Sequence, residues 1–145
     1  MAITPPTNEA PGRLAGLLRE AWGGSGGILV VDDDESIREV IATVLRDEGC
    51  EVRTARNGES ALALLADWCP DLILLDVRMP EMDGAEVARR YRALLGPHAP
   101  VVLLTALSDG PALAEALGAV GYLTKPFELD DLLEVASTYS PCVEN

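Results

Sequence analysis

Residues able to bind phosphate or a metal ion follow apolar segments at intervals along the chain. Asp32, Asp33 and Asp34 follow Ile28–Val31, Asp76 follows Leu72–Leu75, Thr105 follows Val101–Leu104, and Lys125 with Pro126 follows Val120–Thr124. Carboxylates gathered in one place repel one another, and a divalent cation removes that conflict. Mg²⁺ suits all-oxygen ligation and takes only one or two carboxylates directly. An aspartate held beside such an ion is a candidate nucleophile toward phosphorus.

The spacing of these apolar segments predicts how the residues come together. Each short apolar run is typical of a strand that is buried on both faces, and helical periodicity separates the runs. Five strands alternating with five helices predict an α/β fold, a doubly wound five-stranded parallel sheet with helices on both faces. Ligands of such sheets bind beyond the carboxyl ends of the strands. Asp76 ends the central apolar strand and is therefore the predicted nucleophile, with Lys125 and Thr105 as its phosphoryl contacts.

Four of the predicted helices have specific faces or bounds. The first carries Ile37, Val40, Ile41, Val44 and Leu45 on one apolar stripe. The third helix is predicted to turn Val87, Tyr91, Leu94 and Leu95 to the core, and the fourth is a short helix from Asp109 to Leu117. The last helix is predicted from Glu128 to about Ser137, with Leu129, Leu132, Leu133 and Ala136 facing inward. Ser36, which has capping-box spacing to Glu39, is one candidate for the start of the first helix, and Asp34 either caps the helix or adds charge.

The chain divides by composition into three parts. Residues 1–26 form an N-terminal extension, in which Leu14, Leu17, Leu18 and Trp22 have the spacing of a short amphipathic helix. The glycine-rich stretch at 23–27 is typical of a flexible linker. Residues 27–139 form the predicted domain, and residues 140–145 form a short tail.

Charge and composition exclude several classes of partner. The 145 residues carry 24 acidic and 11 basic side chains, a net charge of −13, which disfavours nucleic acid because binding it requires cations against phosphates. No apolar run is long enough to span a membrane, and the N-terminus lacks the features of a signal peptide, so we expect a cytoplasmic protein. Cys50, Cys69 and Cys142 are predicted to be reduced thiols. His98 is predicted to be a solvated loop residue.

Four groups of residues together resemble the receiver domain of two-component response regulators, over about residues 27–139. They are Val30-Val31-Asp32-Asp33, Leu74-Leu75-Asp76 with Met79-Pro80 and Met82-Asp83-Gly84, Leu104-Thr105-Ala106, and Gly121-Tyr122-Leu123-Thr124-Lys125-Pro126-Phe127. Each motif alone is weak, whereas the set in this order is highly specific. The resemblance implies a flavodoxin-like receiver fold.

The resemblance also implies a role for each site residue. Asp76 accepts a phosphoryl group from a phosphohistidine on a sensor histidine kinase or a histidine phosphotransfer protein. Mg²⁺ is held by Asp33, Asp76 and the backbone carbonyl of Arg78, with Asp32 acting through water. Lys125 contacts the phosphoryl group, and the Lys125–Pro126 peptide is cis. Thr105 and Tyr122 form a switch pair that reshapes the face of the fourth helix, fifth parallel strand and fifth helix for a downstream protein target.

The chain departs from the family pattern between Thr105 and Tyr122. This stretch is a residue or two short and contains Gly110-Pro111, so the fourth helix is expected to be short or displaced. Leu107 places an apolar side chain at the rim of the site, where it cannot position water by hydrogen bonding.

The leading interpretation is a single-domain response regulator of a phosphorelay that does not turn over an external substrate. One alternative is a receiver domain cut from a hybrid kinase or multidomain regulator. Another is a phosphatase with an aspartate nucleophile, but such enzymes need a second acid where this chain has Arg78. A third is a binding module that is never phosphorylated, which the complete acidic set disfavours.

Overall fold

The strands and helices follow one another in the alternating order predicted from the sequence. The computed structural model describes residues 2–3, 26–106 and 110–143. Its strands are β1 (Ala2–Ile3), β2 (Ile28–Val31), β3 (Val52–Ala55), β4 (Leu72–Asp76), β5 (Val101–Thr105) and β6 (Gly121–Thr124). Its helices are α1 (Glu35–Asp47), α2 (Gly58–Leu65), α3 (Gly84–Ala93), α4 (Gly110–Leu117) and α5 (Leu129–Tyr139).

One sheet contains all of these strands in the order β1-β6-β5-β4-β2-β3. Strands β2 to β6 are mutually parallel, which confirms the doubly wound fold, and the reversal of strand order lies between β2 and β4. Strand β1 was not predicted. It adds two residues antiparallel to β6, with Ala2 opposite Tyr122. So short a segment has no periodicity to detect.

The core consists of two layers, one on each face of the sheet. Alternate residues of β2 enter opposite layers, because side chains of a strand point to opposite faces. Ile28 joins the layer under α1 and α5, whereas Leu29 joins the layer under α2, α3 and α4. Every residue of β2 and β4 is buried, as the continuous apolar runs predict.

Three predicted core residues are exposed, and Val40 on α1 is one of them, at 58%. Helix α3 ends at Ala93, so Leu95 lies in the following turn and is 89% exposed. Leu129 is the first residue of α5 and is 50% exposed, since the helix packs through the face that carries Leu132 and Val135. Asp34 caps α1, as one of the two predictions stated: its carboxylate accepts the backbone N–H of Ile37, and Ser36 lies inside the helix.

The last two glycines of the predicted linker are packed against the domain. Gly26 is buried, and its carbonyl accepts a hydrogen bond from Trp68 Nε1 at 3.0 Å. Gly27 has a φ of +95° and donates its N–H to Asp71. The glycine-rich composition predicted a flexible backbone. At Gly26 and Gly27, however, the left-handed backbone conformation and the close neighbours require glycine.

The prediction of three reduced cysteines is wrong. Cys50 and Cys142 form a disulfide bond with a Cα–Cα distance of 5.0 Å, although 92 residues separate them. Cys50 precedes β3 and Cys142 follows α5, and both pack on the core layer of α1 and α5. Distance along the sequence concealed this proximity. Cys69 is buried and is not part of the disulfide.

Some predictions fall on residues outside the described ranges. They are the amphipathic helix at 13–22, the rim residue Leu107 and the start of the fourth helix at Asp109. The division into extension, domain and tail stays a prediction. Among the helices that are described, none has the length and apolar character needed to cross a bilayer.

Candidate functional site

The carboxyl ends of β2 and β4 bring three aspartates together. Asp32 directly follows β2 and is completely buried, Asp76 is the last residue of β4 and is 5% exposed, and Asp33 is exposed. One carboxylate oxygen from each lies within 4.8 Å of the others. The predicted cluster therefore exists in the fold, at the point where the strand order reverses.

Lys125 is the cation that faces this cluster. Its Nζ donates to Asp32 Oδ2 at 2.8 Å and lies 3.3 Å from Asp76 Oδ1. The residue directly follows β6, and its peptide bond to Pro126 is cis, the geometry expected from the resemblance. One ammonium against three carboxylates leaves the site with an excess of negative charge.

The electrostatics of Asp76 reflect this excess. Burial, followed by the charge of Asp32, raises the pKa of Asp76 from 3.8 to about 6, although Lys125 and the Arg78 N–H oppose the change. Desolvation lowers the pKa of Lys125, but its hydrogen bond to Asp32 and the charges of both aspartates outweigh that effect and raise it. A buried carboxylate that resists ionisation is one that a further cation would stabilise.

Backbone and side-chain hydrogen bonds fix the orientation of the buried aspartates. Asp32 Oδ1 accepts the N–H of Asp34 at 2.9 Å, and the Asp32 carbonyl accepts from Arg38 Nη1 at 2.7 Å. Asp76 Oδ1 accepts the N–H of Arg78 at 3.4 Å. Arg38 was missed from the sequence. Its only signal is a position on α1 six residues beyond Asp32, which does not reveal that the side chain returns to the backbone of Asp32.

Gly84 is a second residue that the sequence reading did not assign to the site. It begins α3 and donates its N–H to Val77 O at 2.8 Å. A Cβ at position 84 would lie 2.6 Å from Asp76 O and 2.8 Å from Val77 Cα. Glycine is required because the helix start approaches the backbone of the nucleophile strand this closely.

The predicted switch residues lie on adjacent strands. Thr105 ends β5, is 2% exposed, and is in register with Thr124 on β6. Tyr122 is half-buried and lies against the first residue of α4, where a Cβ added to Gly110 would be 2.5 Å from the ring. The fourth helix is short, as predicted, with eight residues. The switching role of the pair stays a prediction.

The donor set fits a hard divalent cation. Carboxylate oxygens are the ligands that Mg²⁺ takes in proteins, and the excess of negative charge favours a cation over further neutral ligands. The described cluster of Asp32, Asp33 and Asp76 is therefore able to hold a metal ion. Asp76 offers an oxygen nucleophile beside that position, and Lys125 offers a point charge to an anionic group.

Comparison with known proteins places these residues in a family. The model of the response regulator receiver domain matches residues 28–137. The regulatory protein AtoC of Escherichia coli is 43% identical over 107 residues, which cover 72% of this chain and 23% of AtoC. Sporulation initiation phosphotransferase F of Bacillus subtilis is 34% identical over 120 residues, which cover 81% of this chain and 96% of that protein.

A solved structure agrees in fold. Response regulator TrrA from Thermotoga maritima, in complex with Mg²⁺-BeF, has a TM-score of 0.69 and 38% identity, covering 79% of this chain and 98% of that one. The chain spans less than half the length of several curated relatives that it matches. Because the family match covers most of the chain and coincides with the acidic cluster, this chain belongs to the response regulator receiver domain family.

Proposed function

We propose that Asp76 is the phosphoacceptor of a phosphorelay and that the chain acts as a single-domain response regulator. The observation that carries the proposal is the placement of Asp76 among Asp32, Asp33 and Lys125. Receiver domains interact with histidine kinases or histidine phosphotransfer proteins. An Asp76 oxygen forms the new O–P bond, the P–N bond to the donor imidazole breaks, and the imidazole nitrogen leaves with the bonding electron pair.

Asp33, Asp76 and the Arg78 carbonyl would hold Mg²⁺, with Asp32 reaching it through water. When bound, the ion neutralises charge on the transferring phosphoryl oxygens. The fit of the donor set supports this assignment, as does the Mg²⁺-BeF complex of TrrA. Asp32 is held in place by its hydrogen bonds to Asp34 and Lys125, so its carboxylate needs little reorganisation.

Lys125 contributes charge and position to the transfer. Its ammonium lies between Asp32 and Asp76, where an oxygen of an incoming phosphoryl group would replace one carboxylate contact. The Thr105 hydroxyl, at the end of the adjacent β5, is the proposed second donor to the phosphoryl oxygens.

Output in this proposal is a change of protein–protein contacts. Thr105 moves toward the phosphoryl group, and Tyr122 turns inward behind it. Tyr122 lies against Gly110, so movement of its ring would first displace the start of α4. A downstream protein would then read the face formed by α4, β6 and α5, and nucleic acid is not the proposed partner.

Two alternative functions differ in their support. A receiver domain within a larger regulator is favoured by relatives such as AtoC, of which the match covers 23%. The single-domain form is favoured by sporulation initiation phosphotransferase F, of which it covers 96%. A phosphatase is disfavoured because Arg78 stands where a second acid is needed, so we propose no turnover of an external substrate.

Transfer from a nitrogen-linked donor tests this function. Phosphoramidate, which carries the P–N bond of phosphohistidine, should phosphorylate the full chain in Mg²⁺ but not in excess chelator. Asp34→Asn alters an acid that caps α1 outside the cluster, and it should still be phosphorylated. Loss of labelling in Asp34→Asn but not in Asp76→Asn would overturn the assignment.

A further inference from the structure

The tail after α5 is joined covalently to the connection between α1 and β3, and both cysteines pack on the same core layer. Cys142 lies three residues beyond the end of α5, and its partner Cys50 lies in the connection from α1 to β3. Cys50 is 5% exposed, whereas Cys142 is only half-buried. Cys142 is therefore the more exposed residue of the pair, and its side is the one from which an external thiol would approach the bond.

The Ser140 hydroxyl beside Cys142 Sγ can form hydrogen bonds in both the oxidised and the reduced state of the cysteine pair. Ser140 Oγ lies 2.8 Å from Cys142 Sγ and 3.3 Å from Asp71 Oδ2, and Ser140 is 2% exposed. A sulfur in a disulfide has no hydrogen, so the Ser140 hydroxyl is then the only donor of the pair. After reduction, the Cys142 thiol can donate to Ser140 while Ser140 donates to Asp71. Neither state leaves Ser140 without a partner.

Helix α5 packs on the core through its own apolar face. We therefore expect the helix to stay packed when the disulfide is reduced. Leu132, Val135 and Ala136 are buried from the helix, and Val143 is buried from the tail. Opening the bond would leave the helix face in place and release mainly its last turn and the tail. Reduction of the bond should therefore change the local opening of this segment more than it changes the overall structure.

We propose that Cys50–Cys142 is a thiol–disulfide exchange site that anchors the end of α5 in its oxidised state and releases it in its reduced state. This proposal needs no phosphoryl group and goes beyond the proposed function. The reductant is a dithiol: its thiolate attacks Cys142 Sγ, an S–S bond forms, and the Cys50 thiolate leaves and takes a proton. The second thiol of the dithiol then displaces Cys142, which also takes a proton, and the reductant becomes a disulfide.

The first test counts accessible thiols in the folded full chain. Chain prepared without reductant should take up no iodoacetamide at Cys50 or Cys142, and after dithiothreitol under native conditions it should take up one at each. The site is mapped by peptide mass. Alkylation of both cysteines in chain equilibrated with oxidised glutathione would overturn the proposal, as would resistance of the bond to native dithiothreitol.

The second test asks whether the anchoring is local. Reduction should speed amide exchange in residues 137–143 by at least about tenfold more than in residues 84–93 of α3, where any acceleration reflects only the loss of the loop constraint on the unfolded chain. Cys142→Ser should match the reduced parent in either buffer, and Cys69→Ser, a matched change outside the bond, should respond like the parent. An equal increase of the amide exchange rate in both segments would show that the disulfide stabilises the whole fold, and this would contradict a local anchor. Unchanged exchange in residues 137–143 would also contradict it.

Discussion

Asp76 combines two properties that oppose each other in the metal-free chain. It must be ionised to act as a nucleophile, yet burial and the charge of Asp32 raise its pKa to about 6. The rise from 3.8 corresponds to a cost of about 3 kcal/mol for keeping the carboxylate charged at pH 7, since one pKa unit is worth about 1.4 kcal/mol. The charged Asp76 thus lowers the free energy of unfolding, although the proposed chemistry depends on this residue.

Asp76→Asn should therefore stabilise the chain in chelator at pH 7, by up to about 3 kcal/mol. The folded parent binds more protons at Asp76 than the unfolded chain between about pH 4 and 6, so this contribution to its stability falls as pH rises. The advantage of the variant should consequently shrink as pH falls from 7 toward 4. Urea unfolding at several pH values measures it.

The exposed Asp67 offers a control for net charge alone. Asp67→Asn removes one negative charge from the chain without touching the cluster and should change stability by less than about 0.5 kcal/mol. Equal stabilisation by both variants would assign the effect to the overall charge rather than to the site. Destabilisation by Asp76→Asn at pH 7 would contradict the account of Asp76.

Lys125→Arg should keep the fold and lose much of the phosphorylation-dependent response. Lys125 is the only lysine among the 11 basic residues, and its compact ammonium fits between Asp32 and Asp76 at 2.8 and 3.3 Å. A guanidinium is a broad planar fork and has different geometry. Circular dichroism should be near native, whereas the phosphorylation-dependent change in amide exchange around Tyr122 should be largely absent.

Arg56→Lys supplies the reverse exchange at an exposed position and should respond as the parent does. If Lys125→Arg switches as fully as Arg56→Lys, the shape of the cation is unimportant and positive charge alone suffices.

The principal site residues were predictable because each ends or follows an apolar strand. Strand ends of a parallel sheet meet at one edge, so Asp32, Asp76 and Lys125 had to converge once the strands were recognised. Arg38 and Gly84 were not predictable in the same way. Their roles depend on distances between a side chain or helix start and a backbone, which no spacing in the sequence encodes.

At the scale of elements, the start of α3 is fitted closely to the end of β4. Gly84→Ala should destabilise the chain by about 1–3 kcal/mol, because the added Cβ meets the backbone at Asp76 and Val77 and neither side can yield without moving an element. Phosphoryl uptake should also slow, since the displaced backbone carries the nucleophile. Urea unfolding and uptake rates measure both effects, and a Gly84→Ala chain with parental values of each would show that the approach is looser than described.

Periodicity predicted the central elements well and the peripheral ones poorly. Fully apolar runs located β2 and β4, because burial on both faces leaves little choice of residue type. Strand β1 was missed because two residues have no period, and Leu95 was misplaced because the pattern continues past the point where α3 ends. Gly26 and Gly27 read as a linker although contacts with Trp68 and Asp71 order them.

At the scale of the whole molecule, the net charge of −13 supports the proposal of a protein partner rather than nucleic acid. The isolated chain should show no specific binding to duplex DNA at physiological salt, since a phosphate backbone is repelled by a strongly acidic protein. Fluorescence anisotropy with labelled duplexes across a range of salt concentrations measures this. Nanomolar binding that weakens steeply with salt would contradict the proposal that output passes through protein contacts.

The disulfide also belongs to the scale of the whole molecule, since it closes a loop with a sequence separation of 92 residues. Predicting it required the tertiary fold: α1 and α5 pack on the same core layer, and this arrangement brings Cys142 to Cys50. Composition indicated three thiols in a reducing environment. An odd number of cysteines far apart in sequence gave no reason to pair any two of them.

The intact mass of the phosphorylated chain tests the central claim most directly. Incubation with acetyl phosphate and Mg²⁺ should add one phosphoryl group to the parent, and an excess of chelator should prevent it. Asp76→Ala should gain none under the same conditions, although its fold and its Asp32–Lys125 contact should persist. An Asp76→Ala chain that still gains one phosphoryl group, or a parent that gains one without a divalent cation, would contradict the account.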